Sequence, residues 1–65
     1  MTNTQKVYYV RYTCRDLNNK IIRQFDDTHN LVGSWSEAEQ LRKGYIDIFN
    51  ADRRQGIWRG VVKTL

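Results

Sequence analysis

The sequence predicts an α+β fold: a three-stranded sheet in β-β-α-β order, with the first strand central, packed on one α-helix. Three observations carry this expectation. Two runs rich in β-branched and aromatic residues flank a polar Asp16-Leu17-Asn18-Asn19 segment. An apolar stripe at helical spacing follows, and a last run, Ile57 to Leu65, returns to strand-like composition. With 65 residues there is room for one small domain, 1–65, around one core.

The first strand is expected over about residues 6–15, where Lys-Val-Tyr-Tyr-Val-Arg-Tyr-Thr-Cys-Arg suits a pleated, half-buried surface. The second covers about residues 20–26, Lys-Ile-Ile-Arg-Gln-Phe-Asp. Asn tolerates the positive φ of a tight hairpin, so the bend is placed at Asn18 and Asn19. The register then follows by counting: Tyr12 faces Phe25, Cys14 faces Arg23, Thr13 faces Gln24 and Arg11 faces Asp26. Opposite residues share a face. One face therefore carries Tyr8, Val10, Tyr12, Cys14, Ile21 and Phe25, with Arg23 as a misfit. The other carries Val7, Tyr9, Arg11, Thr13, Arg15, Ile22 and Gln24. The first is a core face; the second is mixed and wet.

Asp27 to Gly33 is read as a connector anchored by Leu31 and Val32. The helix is expected over about residues 36–52. Ser36 with Glu39 has capping-box spacing, and Ser34 with Glu37 offers an overlapping alternative. Ala38, Leu41, Tyr45, Ile48 and Phe49 form its apolar stripe, while Glu39 and Lys43 are spaced as a surface pair. Gly44 in mid-helix weakens it or marks a close approach. Arg53 and Arg54 suit the helix C-terminus, with Gly56 as the stop. The third strand, about residues 57–64, turns Trp58, Gly60, Val62 and Thr64 to the helix and Ile57, Arg59, Val61 and Lys63 away. A right-handed crossover from the second strand to the third puts the first strand in the middle. The expected core is Tyr8, Val10, Tyr12, Phe25, Leu41, Tyr45, Ile48, Trp58 and Val62.

Composition narrows the function. Eleven Lys plus Arg against seven Asp plus Glu give a net charge of +4 and a pI of 9.6, which favours encounter with polyanions or acidic protein surfaces. A chain this short buries only about 60% of its unfolded surface, so a deep substrate cavity is not expected. One His and one Cys supply neither a metal-ligand set nor an internal disulfide. No cofactor, metal or membrane partner is expected: no apolar run approaches the roughly 20 residues of a span or forms a signal-peptide core. With an unpaired thiol, the cytoplasm is the expected location.

Catalysis is the least supported class. Asp26, Asp27 and His29 sit close in sequence, but Asp26 is expected to pair with Arg11 and the rest reads as a hydrophilic connector. Ser34 and Ser36 are caps. Cys14 lies on the core face as a small hydrophobe, away from the exposure and cationic neighbours a reactive thiolate needs. The expectation is a non-enzyme.

The open sheet face is the candidate site. It presents Tyr9, Arg11, Arg15, Arg59 and Lys63 among Val7, Ile22, Ile57 and Val61. Cations bind phosphates and an exposed Tyr stacks on bases, so nucleic acid is the leading expected partner; a three-stranded ribbon can also enter a duplex major groove. The same mixture of Tyr, Arg and aliphatic side chains suits a protein partner. On that alternative the chain is a small regulator or inhibitor docking on a host protein. A third reading is a structural homodimer, since an aliphatic strip on an open face hints at a covering partner. Trp35 and Ile46 either extend that surface or pack against the connector.

The run Tyr9-Val10-Arg11-Tyr12, a polar turn with Lys20, then Phe25, then Ser36-Glu37-Ala38-Glu39 opening a helix, resembles the small DNA-binding domains at the N-terminus of phage-type tyrosine recombinases. The resemblance covers about half the chain and implies a three-stranded sheet placed on DNA. It departs from that pattern in that the third strand here follows the helix. In organisation the chain is also similar to small accessory proteins of phages and mobile elements, which often bind and block a host enzyme.

Overall fold

The computed structural model describes residues 6–51 and 56–65. Its elements are β1 (Tyr8–Arg15), β2 (Ile21–Val32), α1 (Trp35–Phe49) and β3 (Ile57–Thr64). The sheet order is β2-β1-β3, so the first strand is central, and both pairings are antiparallel. The expected α+β architecture is the observed one. Arg53 and Arg54, expected at the helix end, lie outside the described residues.

The hairpin keeps the expected register through its middle, with Arg11 opposite Asp26, Tyr12 opposite Phe25, Thr13 opposite Gln24 and Cys14 opposite Arg23. The bend itself is displaced by one position. Asn19 N–H donates to the Asp16 carbonyl at 3.0 Å and, of the two asparagines, only Asn19 takes a positive φ, 65°, so the turn centres on Leu17-Asn18. Asp16 decides this. Its Oδ1 accepts from the N–H groups of Asn18 and Lys20, both at 2.9 Å, which locks the turn one residue early. The pairing next to it is Arg15 with Ile21, and a bulge before Cys14–Arg23 restores the register. Ile21, expected on the core face of the hairpin, consequently lies opposite Arg15 and is exposed.

β2 continues through the segment read as a connector. The Asp27 carboxylate accepts from Asn30 Nδ2 at 2.7 Å and from the His29 N–H at 3.3 Å. This local kink sits where the ladder jumps from Val10–Asp27 to Tyr8–Val32, so the strand resumes instead of ending.

The helix starts at Trp35, and of the two expected capping pairs it uses Ser34 with Glu37 rather than Ser36 with Glu39. Ser34, extended at φ −139°, is the N-cap: its Oγ accepts from the Glu37 N–H at 3.2 Å and donates to Glu37 Oε1 at 2.9 Å. Glu39 pairs with Arg42 rather than Lys43. At the other end Asn50 caps the helix, and its amide bonds the Trp58 backbone, accepting from N–H at 2.8 Å and donating to C=O at 3.0 Å.

Val10, Tyr12, Cys14 and Ala38 are buried, with Tyr8, Val32, Tyr45, Ile46, Phe49, Trp58 and Val62 packed around them. Tyr12 is the centre: 1% exposed, its ring lies 5.4 Å from Phe25, 6.1 Å from Tyr45 and 5.2 Å from Phe49. Three expected core members differ, and one of them, Leu41, is half-buried without packing on the buried cluster. Ile48 is 66% exposed and Phe25 44%, because the helix is rolled toward β3 and packs least on β2. Gly60 permits the roll. A Cβ there would lie 2.7 Å from Arg42 Cγ and 3.2 Å from Val10 Cγ1, so its absence lets the Arg42 stem settle on β3. Ile46 packs inward in place of Ile48, and Trp35 stays exposed. Gly44, where a close approach was one expectation, has nothing within 4 Å of a Cβ position.

Candidate nucleic-acid interface

β-strand side chains alternate between faces. Because Val10, Tyr12 and Cys14 point into the helix-side core, Tyr9, Arg11, Thr13 and Arg15 line the opposite face. Pairing extends that face sideways: Lys63 lies opposite Tyr9, Val61 opposite Arg11, Arg59 opposite Thr13 and Ile57 opposite Arg15. All five candidate residues, Tyr9, Arg11, Arg15, Arg59 and Lys63, are thus brought to one sheet surface away from α1. They are half-buried except Arg59, which is exposed.

The side chains are held to different degrees. Arg11 is clamped by Asp26, with Nε donating to Oδ1 at 2.7 Å and Nη2 to Oδ2 at 3.2 Å. That hydrogen bond raises the Arg11 guanidinium above its ordinary pKa, the Asp26 charge and the nearby Tyr9 hydroxyl adding to it. Reciprocally, the bond from Arg11 holds the Asp26 carboxyl below its usual range, with the charges of Arg11 and Lys63 acting in the same direction. Arg15 Nη1 donates to the Asn19 carbonyl at 3.0 Å, tying its head to the turn while leaving further donors. Gln24 Nε2 donates to Thr13 Oγ1 at 2.9 Å.

The acidic groups are mostly engaged elsewhere. Asp16 holds the turn, Asp27 holds Asn30, Glu37 closes the helix cap and Glu39 pairs with Arg42. Among the described residues Arg15, Arg59 and Lys63 make no ion pair, and the salt bridges are Arg11–Asp26 and Arg42–Glu39. Ile57 and Val61, 52% and 56% exposed, stand among the cations.

The Asp26, Asp27 and His29 cluster does not converge. Asp26 lies with Arg11 on the open face, whereas Asp27 lies opposite the core residue Val10. Among the described residues no group of three His, Cys, Asp or Glu side chains could hold a metal. Cys14 is free and buried, and no described helix is long and apolar enough to cross a membrane. The influence of Lys63 on Asp26 was missed in the sequence because it depends on the third strand's register. No protein-family model, curated protein or solved structure matches the chain.

Proposed function

We propose that the protein is a small non-catalytic module, acting in the cytoplasm, that contacts nucleic acid through its open sheet face. The observation that supports this reading is the gathering of Arg11, Arg15, Arg59 and Lys63 with Tyr9 on one surface, where Asp26 is the acidic residue facing them. On this reading Arg15, Arg59 and Lys63 take phosphates directly, Arg11 does so while shared with Asp26, and Tyr9 stacks on a base or wedges between bases. Phosphate contacts position the chain without specifying sequence.

A salt series on a mixed oligonucleotide pool tests it. Four phosphate contacts give a slope of log affinity against log salt of roughly −3, at about 0.7 to 0.9 per contact. Arg59→Ala lowers affinity and flattens that slope by about one contact's share. Affinity that does not change with salt removes phosphate contact.

Exposed Ile57 and Val61 within the same patch favour one second reading, a regulator docking on an acidic host protein. A pull-down that returns one stoichiometric protein, unchanged by nuclease treatment, supports it over the first.

A further inference from the structure

The two edges of the sheet are finished differently. On β3, Asn50 occupies both backbone groups of Trp58, so the chain's own helix end engages that edge near its start. On β2 the outer edge is covered by no described strand; of the residues that discourage strand addition, Ile21–Val32 contains neither Lys nor Pro but does carry the charges of Arg23, Asp26 and Asp27.

Irregular pairing at both ends of β2 leaves one regular run, Arg23 to Asp27, and its middle residue is Phe25. If two copies of an edge pair antiparallel, opposite residues share a face, so the two-fold axis falls at a residue. Centred on Phe25, the whole regular run is used. Arg23 then lies opposite Asp27 of the second copy, twice, and Phe25 lies opposite itself. Centred on Gln24, Arg23 meets Phe25; centred on Asp26, two like carboxylates face each other. Only the middle register is complementary in charge.

We propose that the β2 edge pairs antiparallel with β2 of a second copy about an axis at Phe25, making a six-stranded sheet with both helices on one face. Two oddities of the monomer then have a cause. Arg23 is the cation among the core-side residues of the hairpin, and among the described residues it has no ion pair. Phe25 belongs to the aromatic cluster with Tyr12, Phe49 and Trp58 yet is 44% exposed. In the dimer Arg23 meets a carboxylate with spare acceptor capacity, and Phe25 is covered by its counterpart. The inference does not rest on the nucleic-acid reading, though it would join two open faces into one surface.

Sedimentation equilibrium of nucleic-acid-free protein over a wide concentration range tests it. The expected mass rises from one chain, 7.8 kDa, to twice that and no further. Arg23→Asp, at an exposed position, keeps its circular dichroism and weakens dimerisation about ten-fold or more, because symmetry turns two opposite-charge pairs into like-charge pairs at once. Mixing Arg23→Asp with Asp27→Arg restores a two-chain species. As an independent check on geometry, Phe25→Cys in a Cys14→Ala background forms a disulfide-linked dimer under mild oxidation, faster than Leu17→Cys in the same background, since opposite Cα atoms lie within disulfide reach. A one-chain mass at all concentrations, a mass beyond two chains, an Arg23→Asp protein that dimerises like the unsubstituted chain, or a Phe25→Cys rate no faster than Leu17→Cys each overturns the proposal.

Discussion

Successive residues of β1 sit in two different surroundings. Val10, Tyr12 and Cys14 are buried under the helix, while Tyr9, Arg11, Thr13 and Arg15 lie on the face with no helix. The strand is therefore the floor of the core and the frame of the candidate site at once. The difference teaches where rigidity comes from. A cation on a one-layer sheet is well placed only if the backbone beneath it is pinned, and here the pins are the side chains pointing the other way.

The sharpest way to break this comparison is to damage one face and read both. Tyr12→Ala removes the side chain at the centre of three aromatic neighbours and is expected to cost about 3–5 kcal/mol, enough to unfold a marginal domain of this size. Val61→Ala on the other face removes exposed aliphatic surface and is expected to shift stability by no more than about 0.5 kcal/mol. Urea midpoints measure both. If the two substitutions cost the same, the faces are not the core and surface described above.

A gentler test sharpens the same contrast. Burial pushes the Tyr12 hydroxyl up from 10.0 to about 12, and it donates to the Leu41 carbonyl at 3.4 Å. A folded-state pKa above the unfolded one means that the unfolded chain loses its proton first as pH rises. The stability contributed is whole below about pH 10 and is lost on the way to about pH 12. Tyr12→Phe is expected to flatten that alkaline decline when stability is followed against pH. An unchanged decline would assign it to other groups.

Much of this arrangement was legible in the residues, and the exceptions have physical causes. Alternation along β1 followed from parity alone, whereas the Arg11–Asp26 pairing depends on where the hairpin turns. The turn position was not legible, because Asn18 and Asn19 are equally suited to positive φ and the choice is made by Asp16 accepting two N–H bonds. Here the early turn and the bulge beside it cancel beyond Cys14, so Arg11 keeps its partner Asp26 while Ile21 moves opposite Arg15. The roll of the helix was hidden for another reason. Leu41, Ile48, Ile46 and Phe49 allow several apolar arcs, and the space left by Gly60 selects among them. The reach of Asn50 to Trp58, eight residues away, has no local pattern to betray it.

The smallest expected effect bears on the open face itself, and it has an unusual sign. Asp26 is the carboxylate that clamps Arg11, and the charge of Lys63 also acts on it. Asp26→Asn keeps the side chain's shape but removes the negative charge, releasing part of the Arg11 guanidinium. If phosphates bind here, affinity for an oligonucleotide pool is expected to rise several-fold, and the salt slope to steepen by up to one contact's share, about 0.7 to 0.9. Most substitutions at a binding surface weaken binding, so a gain is diagnostic. Loss of affinity in a protein of unchanged fold would mean that Asp26 serves to aim Arg11 rather than to neutralise it, and that Arg11 acts through its fixed direction, as in reading a base edge.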